Sequence, residues 1–182
     1  MAHKFSTSYI EDSVALLQHY KKLAEGAMDQ VSDDQLFLAL DEEMNSIAII
    51  VKHMAGNMRS RWTNFLTSDG EKADRDRDSE FVAPSGTRTE LMKMWNTAWD
   101  CVFGALKPLS DADLERTVTI RGEPHSVMQA INRQIAHYPY HIGQIVFLAK
   151  HFKGNDWKSL TVPRNKSAEF NRRVLAGEAS QR

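Results

Sequence analysis

The sequence predicts an all-α fold, a bundle of four amphipathic helices with a short hairpin before the fourth. Three observations carry this. Apolar residues recur at helical spacing in four stretches, each about five turns long. A serine, threonine or asparagine stands at the head of every stretch, as N-caps require. The one extended-looking segment, Thr117-Val118-Thr119-Ile120, is short and runs straight into Arg121-Gly122-Glu123-Pro124.

The first helix is expected over residues 8–28. Its stripe is Ile10, Val14, Leu17, Ala24 and Met28, flanked by Tyr9, Leu16, Tyr20 and Leu23, and Ser8 with Glu11 has the form of a capping box. After a turn over residues 32–40, a second helix is expected over 45–66. It carries Ile47, Ile50 or Val51, Met54, Met58, Trp62 and Phe65 inward, with Asn45 as N-cap. Residues 67–83 break the pattern. Asp69, Glu71, Lys72, Asp74, Arg75, Asp76, Arg77, Asp78 and Glu80 leave little to bury, which predicts an exposed, mobile loop, with a lid over a site as the alternative.

The third helix is expected over 87–106. Thr87 and Glu90 open it, Leu91, Trp95, Ala98, Val102 and Ala105 face inward, and Pro108 closes it. The fourth begins at Ser126, with Gln129 in the capping-box position, and runs to about residue 152 before Gly154 stops it. Val127, Ile131, Gln134, Ile135, Tyr138, His141, Ile145 and Leu148 form its inward face, and Trp157 is expected to pack back on the bundle. Residues 1–160 then form one domain, and 161–182 a polar, weakly helical tail.

Composition narrows the function classes. At 182 residues, 42% hydrophobic and 26% charged, the chain has the balance of a soluble globular domain. Lys plus Arg is 23 against 24 for Asp plus Glu, a net charge of −1, so neither nucleic acid nor a membrane surface is an expected partner. No uncharged apolar run approaches the roughly 18 residues of a membrane span. The N-terminus lacks the apolar stretch of a signal peptide. A single cysteine, Cys101, excludes an intrachain disulfide and fits a reducing compartment. The expected location is the cytoplasm.

The seven histidines carry the chemistry. His3, His19 and His151 read as surface residues, and His125 as a turn residue at the entrance to the fourth helix. His53, His137 and His141 face inward on helical geometry. His137 and His141 are four residues apart, which places their Cβ atoms about 5–6 Å from each other on one face. Two imidazoles so placed can share one ion. His53 lies mid-way along the second helix, with Asn57 continuing its edge. Buried imidazoles need partners for both nitrogens, and three at one level are a large polar burden without a common ion. Core histidines satisfied by ordinary hydrogen bonds are the competing reading. Imidazole suits Zn, Ni, Cu and Fe, with Zn or Ni the first expectation.

Two features mark the helix around the pair. Pro139 removes the hydrogen bond to the carbonyl of Ile135, which predicts a bend and a freed acceptor for a histidine ring or a water. Gly143 allows a neighbouring helix to approach closely, and Gln144 places an amide near the same face.

The segments IVKHMAGN around His53 and HYPYHIGQI containing His137 and His141 resemble the two signature regions of the DinB-like superfamily. The charged loop and the four helices agree with it, over residues 8–154. The resemblance is to a bacterial branch of unknown function. It implies a four-helix bundle of non-sequential, crossover topology, a divalent metal on His53, His137 and His141, and a homodimer. Relatives include metal-dependent hydrolases and low-molecular-weight thiol transferases, among them bacillithiol transferases and the mycothiol-dependent maleylpyruvate isomerase. A low-molecular-weight thiol cofactor and a small-molecule substrate are therefore expected. Nothing in the pattern names the substrate.

Three neutral ligands leave a divalent ion its full charge and an open position, where a water or thiol becomes more acidic. Both hydrolysis and thiol transfer fit. Tyr138, Pro139 and Tyr140 stand between the paired histidines, so the glutamate of H-E-x-x-H proteases is missing, and no nucleophile elbow, P-loop or dinucleotide fingerprint occurs. His125 and Glu123 are the candidates for a general base. Asn57 and Gln144 are candidates for orienting a metal-bound water or substrate, and Trp62 and Trp95 for lining an apolar pocket. Plain packing competes for each. A non-catalytic metal- or small-molecule-binding bundle is the alternative function.

Overall fold

The structure, a computed structural model, describes residues 5–180; His3 lies outside them. About 60% of the described residues are helical. Four long helices make the body: α1 (Tyr9–Met28), α3 (Ile47–Trp62), α4 (Arg88–Leu106) and α5 (Val127–Lys153). A five-residue α2 (Asp33–Phe37) follows α1, and α6 (Ser167–Leu175) lies in the polar tail with no buried residue.

Each long helix begins where a side-chain oxygen can take an orphan N–H. Ser8, Ser46, Thr87 and Ser126 accept from the backbone N–H of Glu11, Ile49, Glu90 and Gln129. Two of these refine the expectations. Ser46 rather than Asn45 caps α3. At α1 only half of the capping box forms, because the Glu11 carboxylate accepts from Ser6 Oγ instead of reaching back to the cap. Asp111, far along the chain, completes that terminus by accepting from the N–H groups of Tyr9 and Ile10. At the other end of α1, Arg88 donates to the carbonyls of Met28 and Val31. Helix α3 ends four residues earlier than expected because Asn64 turns left-handed (φ 50°) and its carbonyl accepts from Thr67 and Ser68.

Packing pairs α1 with α5 and α3 with α4, and α3 also packs on α5. The core between them is aromatic and aliphatic. Trp95, Trp99 and Tyr138 are fully buried, with Trp95 edge-on to Trp99 at 5.6 Å and Trp99 edge-on to Tyr138 at 5.7 Å. Trp62 Nε1 donates to Tyr138 Oη at 2.8 Å, and Tyr138 donates to Asn57 Oδ1 at 3.3 Å, whereas the buried Trp99 Nε1 has no hydrogen-bond partner among the described residues. Helix α5 runs through Pro139 unbroken, its apolar face held on α1 and α3. No helix among the described residues is long and apolar enough to cross a membrane.

The expected hairpin is present. Strands β1 (Thr117–Ile120) and β2 (Glu123–Ser126) pair antiparallel, and Arg121 and Gly122 both take positive φ (56° and 76°), as a tight two-residue hairpin turn demands. Asp69 accepts from both turn N–H groups at 2.8 Å, and Gly70 N–H donates to Thr119 O at 2.7 Å. The charged segment after α3 is thereby tied to the hairpin.

That segment is not the exposed loop its composition predicts. Glu80 is buried, in a short 3-10 helix over Asp78–Phe81, and the Arg75 side chain is only 3% exposed. Arg75 grips Glu80 through two bonds, Nε to Oε1 at 2.8 Å and Nη2 to Oε2 at 2.9 Å. It also reaches Glu71, which Arg61 of α3 and Arg121 of the hairpin contact as well. Opposite charges from loop, helix and hairpin neutralise one another and let polar residues be buried.

Candidate metal centre

His53 comes from the middle of α3, and His137 and His141 from successive turns of α5. Packing of α3 on α5 brings the three rings together, with centroids 4.7 to 5.5 Å apart. One nitrogen from each ring lies within 4.8 Å of the others. His137 Nε2 and His141 Nε2 are 3.0 Å apart.

Two of the outward nitrogens are spoken for. His53 Nδ1 donates to Glu80 Oε2 at 2.9 Å, and His141 Nδ1 donates to Gln144 Oε1 at 2.9 Å. An ionised carboxylate and an amide oxygen only accept, so each of these rings carries its proton on Nδ1 and turns its Nε2 lone pair inward. Lone pairs turned toward one another repel unless a proton or a cation lies between them, and His137 Nε2 lies 3.0 Å from His141 Nε2. The donor set, its tautomers and its partners therefore fit a divalent cation, in the arrangement typical of metal-bound histidines.

Burial favours the neutral form of the α5 pair. Burial pushes His137 down to about 3, helped by the neighbouring His141 and His53 rings. Burial also lowers His141, against the opposing hydrogen bond to Gln144. Burial pushes Glu80 up, but the hydrogen bonds from His53 and Arg75 outweigh it and hold the carboxyl below its usual range. Phe81 covers His53 at 4.6 Å between centroids. The loop thus supplies a wall of the site.

The rings open on a cavity of about 580 Å³, lined also by Asn57, Gln134 and Tyr140. Such a volume lies within the usual range of small-molecule sites.

Over residues 4–166 the chain matches the family described as a protein of unknown function, DUF1572. The chain belongs to the DUF1572 family. No curated protein and no solved structure matches it.

In this DUF1572 protein the structure unites His53, His137 and His141: helical spacing predicts the α5 pair, and the packing of α3 on α5 adds His53. Asn57 lies in the cavity wall, and Gln144 acts on His141 from behind rather than lining the cavity. Neither His125 nor Glu123 lines it. His125 Nδ1 lies 3.0 Å from the Glu123 carbonyl in the hairpin. Trp62 and Trp95 are core residues; Trp95 Nε1 donates to Glu25. The carbonyl freed by Pro139 is not what receives the ring N–H groups, since Glu80 and Gln144 do. Gly143 meets no neighbour, because a Cβ there would touch nothing within 4 Å.

Glu80, Arg75, Glu71 and Arg61 are the site residues that sequence reasoning misses. One signal pointed to them. Gly56 sits inside α3, one turn after His53, where glycine weakens a helix. A Cβ at that position would lie 2.1 Å from Glu80 Oε1. The glycine leaves room for the carboxylate that orients His53.

Proposed function

We propose that the protein is a divalent-metal-dependent enzyme of the DinB-like kind, acting on a small molecule by activating a thiol or a water. The single observation that carries this reading is the convergence of three imidazoles, two of them with their tautomers fixed by hydrogen bonds, on an open cavity. The packing of α3 on α5, the second and fourth long helices, supports the crossover bundle that the resemblance implies, since a sequential bundle would place them diagonally opposite.

His53, His137 and His141 would hold the ion. When bound, it supplies Lewis acidity that lowers the pKa of a thiol or water at its open position. The chain's own residues do the rest. Glu80 holds the His53 proton at Nδ1 and is itself held by Arg75 on both oxygens. Gln144 holds the proton of His141 in the same way. Phe81 shields the outer face of His53 from water. Asn57 and Gln134 place amides in the wall, where they can orient a reactant.

An ion serving only to brace the bundle would need a closed ligand shell. The adjoining cavity favours a working site. Elemental analysis of natively prepared protein tests the reading. The expected result is about one divalent ion per chain, absent from His137→Ala. In cobalt-loaded protein, added thiol is expected to shift the visible absorption by entering the open position. Protein with no stoichiometric metal overturns the reading.

A further inference from the structure

The cavity beside the histidines has a second chemical character that metal binding does not explain. Five arginines line it, Arg61, Arg75, Arg77, Arg121 and Arg133, and no lining residue is acidic. They come from separate places: Arg61 from α3, Arg75 and Arg77 from the charged loop, Arg121 from the hairpin turn and Arg133 from α5. Glu71 and Glu80 neutralise part of this wall from behind, through Arg61, Arg75 and Arg121. Five guanidinium groups less two carboxylates leave a surplus of three positive charges. The chain as a whole carries a net −1, so the surplus is local.

Two of the five have no carboxylate partner among the described residues. Arg133 is exposed at the rim, and the Arg77 guanidinium lies 5.0 Å above the Phe81 ring that covers His53. Buried polar atoms are also left open: Arg61 Nε and Gln134 Oε1, both on lining residues, have no hydrogen-bond partner among the described residues. A concave wall of one sign concentrates ions of the other, and the guanidinium fork matches the paired oxygens of a carboxylate or phosphate.

We propose that this cavity is the binding site for a small molecule carrying a carboxylate or phosphate group. Arg77, Arg121 and Arg133 receive the oxyanion, and the remainder of the molecule reaches the three histidines. The inference rests on the enzyme reading for calling that molecule a substrate; the oxyanion site itself stands on the arginines. Arg61 and Arg75 are braced by Glu71 and Glu80 and keep the wall in place. Gln134 meets a polar group deeper in the cavity, since rotation of its amide presents either N–H or C=O.

Calorimetric titration of the full chain, metal-loaded and at constant ionic strength, tests this with three probes: succinate, inorganic phosphate and neutral succinamide. Succinate or phosphate is expected to bind at least ten-fold more tightly than succinamide, and the preference between the two identifies the oxyanion. The double variant R77Q/R133Q alters two exposed side chains. It is expected to lose ten-fold or more of that affinity with metal content and melting temperature unchanged. Equal binding of succinamide, or unchanged affinity in R77Q/R133Q, overturns the proposal. His137→Ala separates this outcome from the metal reading. It is expected to bind the oxyanion while holding no ion, whereas metal-replete wild type without oxyanion preference sinks the present inference alone.

Discussion

Glu80 Oε2 accepts the Nδ1 proton of His53 at 2.9 Å, joining the middle of α3 to a loop residue 27 positions away. This contact fixes which His53 nitrogen faces the other two rings. It depends in turn on Arg75, which holds both oxygens of the same carboxylate. Glu80→Gln keeps the shape but removes the charge. Partners of this kind around a metal contribute about 10–100-fold in affinity. Competition against a chromophoric chelator is expected to show a loss of that size, with His53, His137 and His141 all still present.

Gly56→Ala tests the same contact from the other side. An alanine inside a helix normally stabilises by roughly 0.5–1 kcal/mol relative to glycine. Here the added Cβ would fall 2.1 Å from Glu80 Oε1, so the carboxylate must leave its place between His53 and Arg75. The expected outcome is a lower melting temperature together with weaker metal binding. A melting temperature raised by the substitution would mean that Glu80 moves aside at no cost.

Acid should destabilise the metal-free protein across a defined window. His137 falls from 6.5 to about 3 on folding, so as the pH drops the unfolded chain takes up that proton first. Stability is therefore full above about 6.5, declines as the pH falls toward about 3, and loses nothing more from this group below that. Glu71 and Glu80, both held below their usual range in the fold, add to the decline at its acid end, where the unfolded carboxylates protonate first. Chemical denaturation of stripped protein at a series of pH values is expected to show this slope. In His137→Gln it is expected to be shallower between pH 6 and 4, a window of roughly two units inside the shift.

Asp69 ties the charged loop to the hairpin through the N–H groups of Arg121 and Gly122. Asp69→Ala leaves those donors to solvent and releases the end of the segment that carries Arg75 and Glu80. Because both hydrogen bonds are exposed to solvent, global stability is expected to change by about 1 kcal/mol or less. Local opening is the more sensitive readout. Faster amide exchange at Gly70, whose N–H donates to Thr119, and new proteolytic cleavage within residues 67–83 are the expected signs.

Much of the fold is written locally. The four long helices follow from apolar spacing and from Ser8, Thr87 and Ser126 at their heads, and the hairpin from a short β-branched run before Arg121-Gly122. The pair His137 and His141 is equally local, since four residues on one helix fix their relation whatever surrounds them. The meeting of His53 with that pair is inferred from its inward position but decided by how α3 packs on α5. The charged loop is where local reasoning misleads. Alternating acids and bases have no periodicity to signal burial, and whether Arg75 and Glu80 meet water or each other depends on α3 and the hairpin lying beside them.

The chain's own order of residues determined the four long helices, three of their four caps and the His137 and His141 pair, because those depend on neighbours within a turn or two. Only the tertiary structure decided the protonation, the orientation and the arginine wall of the site. A charge is buried or exposed, paired or alone, according to groups that are distant along the chain and close in space.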